Sequence, residues 1–168
     1  LLLIGILFLF SKYWAQINRI VKPGFLIIVG ISFVFLSMDE TAIIHEKITG
    51  TLKDIKWLPR FKGNHGIWIP IYSIIFFLLV AIGRRTIFSI TKIYPRQSLI
   101  VFSGLLIFAL GGVGLEIIYY IYLEDSGRPI LNKVEIAFEE FFEMLGASIV
   151  LYGTILCALR DTKNASRE

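Results

Sequence analysis

Three acids and a histidine in one short stretch could take part in chemistry. Residues 37–47 read Ser-Met-Asp-Glu-Thr-Ala-Ile-Ile-His-Glu-Lys and follow directly on a long apolar run. Ionisable side chains at membrane depth are costly unless they are paired, metallated or hydrated, so they mark functional sites by default. Because no Pro or Gly separates them, we predict one continuous helix on which Asp39 and Glu46 are nearly eclipsed. Glu40 and His45 flank that face on opposite sides.

Further carboxylates lie near the ends of two later apolar segments. Glu116 follows a glycine-rich run, and Glu139 and Glu143 are neighbours at i,i+4 on a helix. If the apolar segments cross a membrane alternately, these places lie on the same side as residues 37–47. We therefore predict that the carboxylates converge in one polar cavity in one half of the bilayer, with His45 at its edge. The predicted site residues are Asp39, His45, Glu46, Glu116, Glu139 and Glu143.

Several like charges in a low dielectric cannot all stay ionised, so protons or cations must neutralise some of them. A carboxylate-rich site with one imidazole favours a hard divalent ion such as Mn, Fe, Mg or Ca, and His45 makes Zn an option. The spacing differs from the Glu-x-x-His pairs of ferritin-like di-iron bundles, since Gly146 stands three residues after Glu143. The sequence also lacks the His-Glu-x-x-His zinc signature.

The composition defines the fold class. Of the 168 residues 56% are hydrophobic, the mean hydropathy is +0.75, and the apolar residues fall in long runs. We therefore predict an all-α integral membrane protein that forms a single transmembrane helical domain. It would contain four complete transmembrane helices and an N-terminal fifth, expected to be the truncated end of a longer span because Leu1 is not preceded by a Met. The predicted spans are 1–20, 25–48, 67–84, 98–123 and 134–160.

Small residues predict where two of these helices meet. Gly104, Gly111, Gly112 and Gly114 lie in the fourth span, where they would allow close packing on the second or the fifth span. Cys157 lies in an apolar run and is predicted to be a small buried hydrophobic residue.

The basic residues indicate partners and orientation. The net charge of +4 lies mostly in short loops, which suits membrane lipids rather than nucleic acid. Alternating spans place ten basic residues on the side of the C-terminus and seven on the other, which favours a cytoplasmic C-terminus. The ten are Lys12, Arg19, Lys22, Arg84, Arg85, Lys92, Arg96, Arg160, Lys163 and Arg167.

The stretch Phe-Leu-Ser-Met-Asp-Glu-Thr-Ala-Ile-Ile-His-Glu, together with Glu139-Glu140-x-x-Glu143, resembles bacterial multipass membrane proteins that have no assigned activity. These share a Leu-Asp-Glu and a following His-Glu on an early span and a glutamate-rich last span. The resemblance implies a multipass protein of the bacterial inner membrane and gives weight to these acids, but it implies no reaction.

Three functions stay open on the sequence. The first is a protein whose carboxylate and His cluster binds a divalent metal or handles cations or protons. The second is a membrane metalloenzyme acting on a lipid or another apolar substrate, for which the sequence assigns no catalytic residue. The third is an accessory subunit of a larger membrane complex. The absence of a nucleotide-binding loop excludes a self-powered pump, and a transporter of this size would need a homo-oligomer.

Overall fold

The computed structural model describes residues 23–61, 63, 65–123 and 129–165, and these residues contain helices and no strand. The predicted first helix over 1–20 lies outside them. The all-helical fold class is confirmed for the described part of the chain. In chain order the helices are α1 Pro23–Ala42, α2 Ile44–Leu52, α3 Trp68–Ile93, α4 Pro95–Leu123 and α5 Pro129–Ala165.

The predicted single helix over 25–48 is wrong, because the chain breaks at Ile43. This residue adopts a left-handed conformation with φ 54° and ψ 46°, which separates α1 from α2. Such a conformation costs a branched residue about 1–2 kcal/mol. It is held by the Asp39 carboxylate, which accepts the backbone N–H of His45 at 2.8 Å. The break cancels the predicted alignment of Asp39 with Glu46.

The predicted end of the third span near Arg84 and Arg85 is also wrong, since α3 continues to Ile93. The residues between the predicted spans 67–84 and 98–123 are therefore mostly helical. Arginine is a good helix former, so a pair of arginines marks a polarity boundary without ending a helix. The end comes at Tyr94, because the residue before a proline disfavours helical geometry. Pro95 then opens α4, three residues earlier than predicted.

Helix α4 is not a uniform α-helix. It is α-helical over Pro95–Ala109, widens to a π-helix over Leu110–Leu115, and widens again over Tyr119–Leu123. Glu116 lies between the two wide segments, in the short α-helical stretch Glu116–Ile118. Wide turns of this kind are frequent at functional sites.

Helices α4 and α5 form the closest helix pair, and glycines permit it. An added Cβ at Gly104 would lie 2.8 Å from the carbonyl oxygen of Gly146, and one at Gly146 would lie 2.5 Å from the backbone N of Phe108. Gly111 lies against Phe142 and Glu143 in the same interface. The predicted packing of the fourth span on the fifth is confirmed at these positions and at Gly112. It is wrong for Gly114, whose nearest contacts are to Ala109 and Leu110 of its own helix.

Four of the described helices are long and apolar enough to cross a membrane: Gly24–Ala42, Trp68–Ile93, Pro95–Leu123 and Ile130–Cys157. Their number matches the four complete spans of the prediction, with shifted boundaries. Large apolar side chains such as Phe77 and Ile82 are exposed on α3. Cys157, with Leu26 and Tyr94, lies in a small buried core, which confirms the reading of this cysteine as a buried residue. Helices with apolar outward faces and few buried residues fit a lipid environment.

Candidate functional site

Asp39 and His45 form a closed pair across the helix break. The Asp39 side chain is 4% exposed, and its two oxygens accept the backbone N–H and the ring Nδ1 of His45 at 2.8 and 3.1 Å. The six-residue separation is bridged only because Ile43 turns the chain back on itself. Two charge-assisted hydrogen bonds satisfy an acid that would be costly to bury alone.

Glu116 is held by two donors from different parts of the fold. Its Oε1 accepts the indole N–H of Trp68 at 3.0 Å and the hydroxyl of Tyr120 at 2.5 Å. Tyr120 is the i+4 neighbour of Glu116, whereas Trp68 opens α3. The Tyr120 ring also stacks on His65, with centroids 5.4 Å apart. The loop before α3 thus covers the Glu116 site.

Trp68 connects the Asp39–His45 pair with the Glu116 site. It is 8% exposed, and its ring centroid lies 5.2 Å from that of His45 while its N–H bonds to Glu116. Tyr72 packs edge-on against the other side of this ring at 5.2 Å. Tyr72 also interacts electrostatically with Asp39, although its buried hydroxyl makes no hydrogen bond of normal geometry. Trp68 therefore lies between two acids that the sequence places far apart.

Glu139 and Glu143 approach this group from α5. The Glu143 carboxylate occupies the space over Gly112 where any other residue would carry its Cβ. Glu143 interacts electrostatically with Glu40, Glu116 and Asp39, and Glu139 interacts with Glu116 and Glu40. The i,i+4 spacing directs both α5 acids toward α1 and α4. We call Asp39, Glu40, Glu116, Glu139 and Glu143 the acidic cluster.

Five of the six predicted site residues belong to the acidic cluster or lie beside it, and Glu46 does not. Glu143 interacts electrostatically with Asp39 and Glu116, Glu139 interacts with Glu116 and Glu143, and His45 lies beside Asp39 and Trp68. Glu46 is exposed on α2, beyond the break, and reaches Glu116 and Tyr120 only electrostatically.

Sequence reasoning left out three participants in this site. Glu40 is among the interaction partners of both α5 acids, and Trp68 and Tyr120 are the donors to Glu116. The i+4 spacing from Glu116 was a usable signal for Tyr120. Trp68 carries no such signal, because a Trp at the start of a span is typical of any membrane boundary.

The electrostatic balance of the acidic cluster is one-sided. Among the described residues, the strongest partners of these glutamates are other carboxylates, His45, Trp68 and Tyr120, and they include no Lys or Arg; the glutamates are Glu40, Glu116, Glu139 and Glu143. Among the residues that the structure describes, no three His, Cys, Asp or Glu side chains are close enough to hold a metal ion. The arrangement is thus rich in acids and poor in fixed cations, without a preformed metal cage in that part of the chain.

Comparison with known proteins gives a family whose function is unknown. Residues 3–159 match the DUF8692 model, described as a domain of unknown function. The chain belongs to the DUF8692 family. No curated protein and no solved structure matches it. The match in this DUF8692 chain includes every predicted site residue, and the expected resemblance to proteins of unassigned activity is confirmed at that level.

Proposed function

We propose that this protein is inserted in a membrane by its four long apolar helices and that the acidic cluster binds cations, with protons as the principal ligand. The acids lie near the ends of α1 and α4 and in the first half of α5, so we expect the cluster in one half of the membrane, with Glu143 closest to its middle. One observation supports the proposal: carboxylates from three helices interact electrostatically with one another, and their strongest partners among the described residues include His45 but no Lys or Arg.

The charge balance supports mobile cations as the neutralising groups. Carboxylates that share a low-dielectric site repel one another, so protons or bound cations must offset part of the charge. A structural network would instead be expected to bring in Lys or Arg. His45 can balance one carboxylate when it is protonated, and it is already bonded to Asp39. Glu139 and Glu143 therefore depend most on an external cation.

The hydrogen-bonding pattern favours protons over a divalent metal. Asp39 accepts two bonds from His45, and Oε1 of Glu116 accepts bonds from Trp68 and Tyr120. A metal bound by Asp39 or by Oε1 of Glu116 would compete with these donors, whereas a proton bound by Glu139 or Glu143 would leave them in place. Tyrosine and histidine beside carboxylates are also groups through which protons can move.

The test replaces Glu139 and Glu143 together by Gln, which resembles a neutral carboxyl group in shape but cannot bind a proton. Infrared absorption of protonated carboxyl groups would be followed on protein in lipid nanodiscs from acid to alkaline buffer. The natural protein should show a component that titrates separately from exposed carboxylates. The Glu139→Gln/Glu143→Gln variant should lose that component while its circular dichroism spectrum stays helical.

Asp54→Asn is the matched control, because Asp54 is an exposed acid in the turn after α2. This variant should keep the separate component. If the natural protein shows only carboxyl groups that titrate like Asp54, the acidic cluster is structural, as in an accessory subunit, and the proposal fails. A divalent ion retained stoichiometrically after dialysis against Mn, Fe, Mg, Ca or Zn, and lost in the double variant, would replace protons by that metal.

A further inference from the structure

A cleft lies at the end of the helices opposite to the acidic cluster. It has a volume of about 470 Å³ and is open to one side. It forms where α3 ends, α4 begins and α5 approaches its own end. The cleft is lined by Lys92, Ile93, Pro95, Arg96, Gln97 and Arg160.

The charge of this cleft is of one sign. Its charged lining residues are three cations, and no acidic side chain is among its described lining residues. The cleft also adjoins the start of α4, where the free backbone N–H groups of a helix favour an anion. Its volume falls in the range of roughly 300–1,000 Å³ typical of ligand pockets.

Aromatic rings fix two of the three cations. The Lys92 ammonium lies 4.4 Å from the centroid of the Phe88 ring, and the Arg160 guanidinium lies 5.5 Å from that of Tyr94. Tyr94 is buried, so Arg160 is held against a rigid support. Cations positioned in advance lose less entropy when they bind an anion.

Apolar side chains around the cleft indicate the kind of anion. Phe88, Leu99 and Leu159, on three different helices, are large, apolar and exposed, and each lies close in sequence to a lining residue. A soluble anion would leave these surfaces uncovered. A phospholipid would place its phosphate on the cations and its acyl chains along the apolar side chains. Basic pockets between transmembrane helices bind anionic headgroups in this way.

We propose that the cleft formed by Lys92, Arg96 and Arg160 binds the headgroup phosphate of an anionic phospholipid. The inference rests on the proposed membrane insertion but not on the acidic cluster. All three cations belong to the more basic side of the chain, where anionic lipids would be expected. Arg160 and Arg96 can each offer paired N–H donors to phosphate oxygens.

The test measures retention of cardiolipin and phosphatidylglycerol by native mass spectrometry of the detergent-solubilised protein. Phosphatidylcholine, a zwitterionic lipid without net charge, serves as the comparison. The variant Arg96→Gln/Arg160→Gln should bind the anionic lipids roughly thirtyfold more weakly, because two phosphate-binding charges are removed. The matched control is Arg84→Gln/Arg85→Gln, which removes two exposed arginines of α3 that do not line the cleft.

The control separates a defined site from general surface charge. An equal loss in the Arg84→Gln/Arg85→Gln variant, or equal binding of phosphatidylcholine by the natural protein, would overturn the proposal. Displacement of the lipid by millimolar inorganic phosphate would also overturn it, because the cleft would then take a soluble anion. Should Arg96→Gln/Arg160→Gln not fold, Arg160→Gln alone should still weaken binding and Arg160→Lys should restore most of it. Glu139→Gln/Glu143→Gln should retain the lipid fully, so this result is independent of proton binding.

Discussion

At the scale of single residues, Trp68 is the side chain on which the site depends most. Replacing Trp68 by Phe keeps an aromatic ring beside His45 but removes the N–H donor to Glu116. A hydrogen bond to a charged acceptor contributes about 1.5–3 kcal/mol. We expect the free energy of unfolding of the Trp68→Phe variant to be about 2 kcal/mol lower than that of the natural protein. Reversible denaturation in detergent, followed by circular dichroism, measures this difference.

Trp57→Phe is the control for this prediction, because Trp57 is 81% exposed. It should change the free energy of unfolding by less than about 0.5 kcal/mol. Tyr120→Phe removes the second donor to Glu116 without creating a large cavity, so it separates hydrogen bonding from packing. Equal stability of the Trp68, Tyr120 and Trp57 variants would show that the Glu116 bonds contribute nothing.

The sequence reveals the acids of this site more readily than their partners. A carboxylate beside or within an apolar run is conspicuous, since lipid offers it no solvation. That is why Asp39, Glu116, Glu139 and Glu143 could be selected from the sequence. Their donors are ordinary aromatic residues, and Trp68 pairs with Glu116 only through tertiary packing. Whether the selected acids act in a function stays a prediction.

At the scale of helices, the glycines between α4 and α5 determine how closely the two helices pack. A Cβ at Gly146 would lie 2.7 Å from the carbonyl oxygen of Gly104 and 2.7 Å from Cα of Phe108. These are backbone atoms and cannot move without separating the helices. We expect Gly146→Ala to lower the free energy of unfolding by about 1–3 kcal/mol, the usual cost of overpacking. Thermal unfolding in detergent would detect it.

Gly50→Ala provides the opposite expectation. Gly50 lies within α2, and nothing would contact an added Cβ there. Alanine is favoured over glycine in a helix by about 0.5–1 kcal/mol, so this variant should be slightly more stable than the natural protein. If Gly146→Ala behaved like Gly50→Ala, the close approach of α4 and α5 would not be required for stability.

The sequence predicts helices better than the points at which they break. The apolar runs give the number of long helices, and the glycines indicate which pair is closest. The break at Ile43 has no local signal, because isoleucine is among the residues least suited to a left-handed conformation. Only the capture of His45 by Asp39 explains it. The arginine pair on α3 has the opposite effect: it predicts a helix end where the helix continues. The reason is that charge limits burial in lipid but does not end a helix.

At the scale of the whole molecule, the acidic cluster and the basic cleft lie at opposite ends of the helices. The acidic cluster lies at one end, and the cleft with Lys92, Arg96 and Arg160 lies at the other. This separation was predictable because successive spans run in opposite directions. The order of the spans along the chain therefore determines which helix ends lie on the same side. The cleft itself was not predictable, since its depth depends on how far α3 extends beyond Arg85.

The π-helical turns of α4 would allow the helix to lose one residue without a change in the orientation of the residues that follow. A π-turn closes over one residue more than an α-turn, so a segment such as Leu110–Leu115 can give up one residue and become α-helical. Deleting Val113 should therefore leave Glu116 aligned with Trp68, with the protein still helical and similarly stable. Deleting Ile107, in the regular α-helical part, should rotate the later residues by about 100° and abolish folded expression. Relatives one residue shorter at Leu110–Leu115 would thus be expected to keep the same site, because the loss of one residue there leaves the register of α4 unchanged.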